Sequence, residues 1–370
     1  MFQLHMTPFL RIRERGMSLV EVMVGIAIGL IGILIITQAY ISSDKFNRST
    51  VGAGSGQTNG LIALFTIERD AEMAGYGLNQ SAALGCGTLY YYYNGNYSAN
   101  VPGQSAGTAM PPLKLAPVYI DSSVTPNTVT MMFSNGSTRM VPGTVATFTP
   151  PFATVDGTGG FYAGDFVMLV SQAAAGNCTL AQLTGVQQVS SQLQFNTAPY
   201  NPAAWGTFPT SYATNDLIFD IGNPSVRTYS VASPAVGQYR LQVTDSLLIT
   251  GGGVAQDLAD DVVDLRAQYG KDDGVPAGST AGDGVVDEYN NVQPVTGADW
   301  GQVLSIRVGL LVRIGNYEKP ATPGGACSAT TAAPTWNGGS FSVPEGLPSC
   351  YRYRVYQTIV PIRNLIWRYS

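Results

Sequence analysis

A chain of 370 residues with 45% apolar but only 12% charged residues carries about half the charge of an ordinary soluble domain, and its Gly (43), Pro (22) and Tyr (20) point to many short strands and turns under uncharged polar cover. The first 16 residues hold Arg11, Arg13 and Arg15 against Glu14, a net +2, so the overall −5 becomes −7 from Met17 onward, which excludes a general nucleic-acid surface. His5, the only histidine, lies in that basic start, so beyond it there can be no Ser-His-Asp or Cys-His nucleophile pair and no His-ligated zinc.

The first predicted element is an apolar helix from Met17 to Ile41, whose only charge is Glu21. At about 1.5 Å per residue it reaches roughly 37 Å, enough to cross a bilayer core of about 30 Å. The arginines before it should stay cytoplasmic, leaving the remainder of the chain outside. An ordinary secretory signal has a shorter apolar run and a small-residue cleavage site, neither of which is present here. A simple anchor explains the length but not Glu21, because a carboxylate in an apolar span costs about 2.5–3.5 kcal/mol if central and needs a partner or a purpose. Gly25 and Gly29 form a G-x-x-x-G pair that lets membrane helices approach closely, although glycine is also simply frequent in such helices.

Gly16-Met17-Ser18-Leu19-Val20-Glu21, with the apolar helix that follows, resembles the processing site of type IV prepilins. The resemblance implies that a prepilin peptidase cuts between Gly16 and Met17, removing a 1–16 leader, and that Met17 is N-methylated. It also implies that Glu21 pairs with the new amino group of a neighbouring subunit during assembly. Met17 stands where many pilins have Phe, a mild departure between two bulky apolar residues.

Beyond Ile41 polarity rises, and Gly52, Gly54, Gly56 and Gly60 each weaken a helix by roughly 1 kcal/mol relative to Ala. Helical spacing returns with Leu61, Leu64 and Phe65 on one face and Glu68-Arg69-Asp70 on another, and Gly75-Tyr76-Gly77 is a stop signal. The expectation is one helix from Met17 to about Ala74, softened near 52–60, with an amphipathic second half (42–75) packed under a β-rich domain (76–370). A Gly/Ser linker at 52–60 is the alternative.

Strand signals follow. Tyr90–Tyr93 run into an Asn94-Gly95 turn, the tyrosines serving as packing and surface cover, with a sugar-binding platform as the sharper alternative. Further strands are expected at Val129–Phe133, Phe166–Val170, Leu217–Ile221, Val226–Val231, Tyr239–Val243, Val303–Val312 and Tyr351–Val360. The fold class is therefore α+β. Cys86, Cys178, Cys327 and Cys350 contain no C-x-x-C pair, and an even count in an exported domain favours disulfides. Cys327–Cys350 would close a short Gly/Pro-rich loop, leaving Cys86–Cys178; buried free thiols are the other reading. Gly282-Asp283-Gly284-Val285-Val286-Asp287 is similar to oxygen-rich calcium loops, making Asp283 and Asp287 candidates, but it lacks EF-hand spacing, and an acidic surface turn is the plainer reading. No other cofactor is expected. In Tyr351-Arg352-Tyr353-Arg354-Val355-Tyr356 basic and aromatic residues alternate, as in an edge strand, and with Arg363 and Arg368 they make a small patch that could touch DNA or an acidic partner.

Several later segments resemble the PilW branch of minor pilins. They are Ile67–Asp70 leading to Ala74-Gly75-Tyr76, Asp261–Leu265 leading to Tyr269-Gly270, Val303–Val308 ending at Arg313, and Ile362-Arg363-Asn364. The resemblance implies a non-enzymatic minor pilin that is stored in the inner membrane with its domain in the periplasm. After cleavage it would co-assemble with other minor pilins and the major pilin to initiate or cap a type IV pilus. The assembly machinery of the inner membrane and a tip adhesin are the further partners implied. A type II secretion pseudopilin shares the N-terminal pattern, and a tip adhesin or DNA-uptake subunit is the alternative of another class.

Overall fold

The computed structural model describes residues 16–77, 88–93, 96–100, 116–134, 139, 141–172, 177–203, 212–235, 237–245, 253–315, 317–318, 322, 325, 327, 329–343 and 350–366, with some side chains left out. The chain divides into two compact units, 1–52 and 53–370, with the division falling inside one helix, Leu19–Met73. An apolar N-terminal helix followed by a β-rich domain with several sheets makes the fold α+β, as expected.

Three larger sheets build the second unit. A nine-stranded sheet runs in the order Asn96–Asn100, Thr88–Tyr93, Asn177–Gln182, Phe166–Val170, Leu217–Gly222, Gly143–Thr149, Phe152–Val155, Gln192–Gln194, Gly185–Gln187. A five-stranded sheet runs Gln256–Asp260, Gln238–Asp245, Pro224–Ala235, Thr128–Ser134, Val118–Asp121. A four-stranded sheet runs Glu288–Asn290, Val262–Lys271, Val303–Ile314, Arg352–Pro361. Among the described strands only Thr88–Tyr93 with Asn177–Gln182 is a parallel pair.

The expected strands all form, Phe166–Val170 with the same bounds. Its unbroken apolar run Phe-Val-Met-Leu-Val has a physical reason. Phe166, Met168 and Val170 face the main core, while Val167 and Leu169 face a second core with Val145, Phe161 and Phe195. A strand buried on both faces has no need of polar alternation. Val262–Lys271 also forms a strand, though its sequence mixes Asp264, Arg266 and Gln268 with apolar residues. Its Leu265, Ala267 and Tyr269 enter the main core, as do Ile306, Val308, Leu310 and Val312 of the neighbouring strand.

The single helix expected from sequence forms, continuous through 52–60 and without the Gly/Ser linker of the alternative, but its buried face departs from expectation. Gly56 and Gly60 are buried, and a Cβ on them would lie 2.7 Å from Ile314 Cγ2 and 2.5 Å from Tyr356 Cε2. These glycines allow close approach of helix to sheet, and that packing offsets their low helix propensity. The buried face is Gly56, Gly60, Ala63, Ile67, Asp70, Ala71 and Ala74, and Leu64 packs partly buried against the core, whereas Leu61 and Phe65 are 51% and 66% exposed. At the two glycines the sheet lies too close for a side chain. Gly60→Val should therefore destabilise the domain by about 1–3 kcal/mol through overpacking, read as a lower thermal midpoint, whereas Gly54→Ala, which meets no other atom, should not.

Cys327 and Cys350 form a disulfide across 23 residues of sequence. The segment it closes carries Trp336 and Phe341, whose rings lie 2.6 and 3.1 Å from where a Cβ of Gly309 would stand. Phe341 also joins Val263 and Leu311 in a small core on the outer face of the four-stranded sheet. Loop-closure entropy for such a ring is about 3 kcal/mol, so Cys350→Ser should lower the melting midpoint under oxidising conditions and abolish its response to reductant. Cys178 is buried and disulfide-bonded; Cys86, the partner expected from sequence, lies outside the described residues.

Candidate assembly interface

The first unit carries the helix start. The Glu21 N–H lies 3.0 Å from the Ser18 carbonyl and 3.2 Å from Ser18 Oγ, so Ser18 caps the helix and Glu21 sits in its first turn. Ser18-Leu19-Val20-Glu21 has capping-box spacing, a second local signal for the helix start. Glu21 is also well placed electrostatically, because a carboxylate near a helix N-terminus faces its partial positive charge. From Leu19 to Asp44 the helix has mean hydropathy 2.8 and no part of it is buried, which is long and apolar enough to cross a membrane. Met17, Leu19 and Ile36 are 74%, 77% and 70% exposed. A methyl group on Gly25 or Gly29 would meet no other atom of the chain, and Gly16 is exposed just before the helix.

The second unit mounts the rest of the helix by a buried polar pin. Asp70 is fully buried and accepts Arg227 Nη1 at 2.9 and 3.0 Å and Tyr229 Oη at 2.5 Å. Burial pushes the Tyr229 phenol well above its usual range, and the Asp70 carboxylate beside it adds to the rise. Burial alone would lower the Arg227 guanidinium, but its hydrogen bond to Asp70 reverses this and holds it above its usual value. By its neighbours Glu68 and Arg69, Asp70 belongs to a polar face, while its position three residues after Ile67 and four before Ala74 is the signal for burial; nothing local marks Arg227 or Tyr229.

The helix ends where expected, with Gly75 and Gly77 at φ +79° and +82°. Asn364 Nδ2 stands 3.4, 3.2 and 3.1 Å from the carbonyls of Glu72, Met73 and Ala74, and Arg363 pairs with Glu72 at 3.1 Å. Asp261, at φ +63°, is held by Arg313, which also donates to the Gly237 carbonyl at 2.8 Å. Asp264 is buried beside Arg266 at 3.0 Å; burial raises its carboxyl, and Arg266 opposes the rise. Tyr269, buried in the core, accepts the Ile120 N–H at 2.8 Å.

Residues 11–37 match the prokaryotic N-terminal methylation motif, and residues 228–364 match the family described as Type IV Pilus-assembly protein W. The chain is PilW-like. No curated protein and no solved structure matches it. The methylation-motif match covers Gly16, Met17, Glu21, Gly25 and Gly29, and the PilW match covers Tyr229, Asp261, Asp264, Tyr269, Arg313 and Asn364. Together they make this a type IV pilus-related, pilin-like protein. In the PilW-like region the polar residues singled out from sequence hold turns, ladders and the helix end.

The remaining candidates are placed as follows. The buried Asp272 accepts the Gly282 and Gly284 N–H groups at 2.5 and 2.7 Å, Asp287 accepts Gly274 N–H at 2.7 Å, and Asp283 accepts Val285 N–H at 2.9 Å. These carboxylates shape the acidic loop, and among the described residues no group of three or more His, Cys, Asp or Glu is arranged to hold a metal ion. Tyr91 is buried and Tyr93 lies 5.0 Å from the Tyr200 ring, so these two tyrosines pack inward. Asn94, Gly95 and Arg368 lie outside the described residues.

Proposed function

We propose that this protein is a minor pilin that is cut after Gly16, N-methylated on Met17 and inserted through its N-terminal helix into a type IV pilus, which it initiates or caps. The observation that carries the reading is the methylation-motif match laid over an exposed apolar helix with Glu21 in its first turn. Before assembly the helix spans the inner membrane and residues 42–370 lie in the periplasm, the 42–75 segment continuing the helix. Prepilin peptidase, other minor pilins, the major pilin and the membrane assembly machinery are its partners, and a tip adhesin is a further one. Its role is structural, a reading supported by the likeness to pilus-assembly proteins. The PilW match favours a pilus over a secretion pseudopilus.

In assembly, the amine of one methylated Met17 meets the Glu21 carboxylate of a neighbour in an apolar bundle, and Gly25 and Gly29 let the helices approach. Mass spectrometry of the mature N-terminus tests the reading. An N-methylated Met17 is expected; an intact leader, or a cut beyond residue 41, would refute it.

A further inference from the structure

The four-stranded sheet ends on a long open edge. Strand Arg352–Pro361 has 10 residues, whereas Asn96–Asn100 and Gln256–Asp260 have 5, Val118–Asp121 has 4, and Gly185–Gln187 and Glu288–Asn290 have 3 at the other sheet edges. It pairs with Val303–Ile314 without a register shift from Arg352 to Pro361. From Arg354 to Pro361 no backbone hydrogen bond outside that ladder is formed among the described residues. Natural edge strands are usually kept short, bulged, or interrupted by charge or proline. Here Arg352, Arg354 and Pro361 sit at the two ends, and Val355–Val360 contains no charge, proline or bulge.

The side chains on this edge define what it can take. Val355, Gln357 and Ile359 share one face, where Val355 packs against the Phe341 core, Gln357 Oε1 accepts the Asn337 N–H at 2.9 Å and Ile359 is 50% exposed. Arg354, Tyr356 and Thr358 share the other. Arg352 is paired with Glu318 at 2.5 Å, but the exposed Arg354 has only the Tyr356 ring, at 5.8 Å, and no carboxylate among the described residues. The strand contains no acidic residue, so a second copy of it would supply none.

We propose that the Arg352–Pro361 edge receives an extended segment of another protein by strand addition, and that this segment alternates acidic with apolar residues. Its backbone continues the ladder, an acidic side chain stands beside Arg354, and an apolar side chain stands beside the exposed Ile359. The inference does not depend on the pilus reading, since the edge exists whether or not the leader is cut.

The test uses the full-length protein in detergent and fluorescent peptides read by anisotropy. A short peptide alternating glutamate and valine should bind, and its lysine/valine counterpart should bind roughly fivefold more weakly or worse. Methylating alternate backbone nitrogens of the first peptide should abolish binding, and Arg354→Glu should reverse the charge preference. If that variant melts early, Arg354→Gln should still remove the preference. Equal binding of both peptides, survival of binding after N-methylation, or no binding at all would overturn the proposal. Concentration-dependent dimers lost on Arg354→Glu would replace the proposed occupant with a second copy.

Discussion

Asp70→Ala is expected to destabilise the domain by about 3–5 kcal/mol, because it removes one partner from a buried charged cluster and strands the others. Asp70 is fully buried, and Tyr229, also fully buried, donates its hydroxyl to it. The Arg227 side chain is 31% exposed and can partly rehydrate, which places the loss toward the lower end of that range. Chemical denaturation of the full-length protein in detergent measures the effect. Asp70→Ala combined with Arg227→Met and Tyr229→Phe should recover part of the loss, since it replaces a broken polar cluster with an apolar one. A loss below about 1 kcal/mol for Asp70→Ala would show that the pin is not what holds the helix to its sheet.

Glu21→Ala should leave synthesis and cleavage intact and reduce incorporation into sheared filaments by roughly a hundredfold to a few thousandfold. An uncompensated buried amine costs about 3–5 kcal/mol, and every tenfold is about 1.4 kcal/mol. Ser18 complicates this variant, because Glu21 also occupies the glutamate position of a capping box. Glu21→Gln separates the two roles. Glutamine can serve in a capping box but carries no charge. If Glu21 acts only at the helix start, Glu21→Gln assembles normally; if the charge pair is its purpose, Glu21→Gln fails as Glu21→Ala does. Immunoblots of sheared filaments against membrane fractions give the ratio.

Much of the molecule was legible because its signals are local. The apolar run after Met17, the costly carboxylate at Glu21 and the stop at Gly75-Tyr76-Gly77 each lie within a few residues of sequence. The apolar strand Phe166–Val170 is bounded by composition alone, and the Cys327–Cys350 pair closes a short separation. These features determined the helix, the β-rich domain and the likeness to a prepilin processing site, and scattered later segments such as Asp261–Leu265 and Ile362-Arg363-Asn364 carried the PilW resemblance.

The tertiary structure decided what the local pattern misrepresented. Gly56 and Gly60 read as weak points of the helix because propensity counts only the chain's own backbone; they are contact points because Ile314 and Tyr356 occupy the space a side chain would need. Leu61 and Phe65 read as a buried face because apolar residues usually are, yet the sheet covers Ala63, Ile67, Ala71 and Ala74 instead. Asp70 read as a solvated charge because its partners, Arg227 and Tyr229, are 157 and 159 residues away. By itself the sequence determined which segments are helix, strand and anchor, since those depend on neighbours along the chain. Which face is buried, and which charges are paired, depends on residues brought near only by folding.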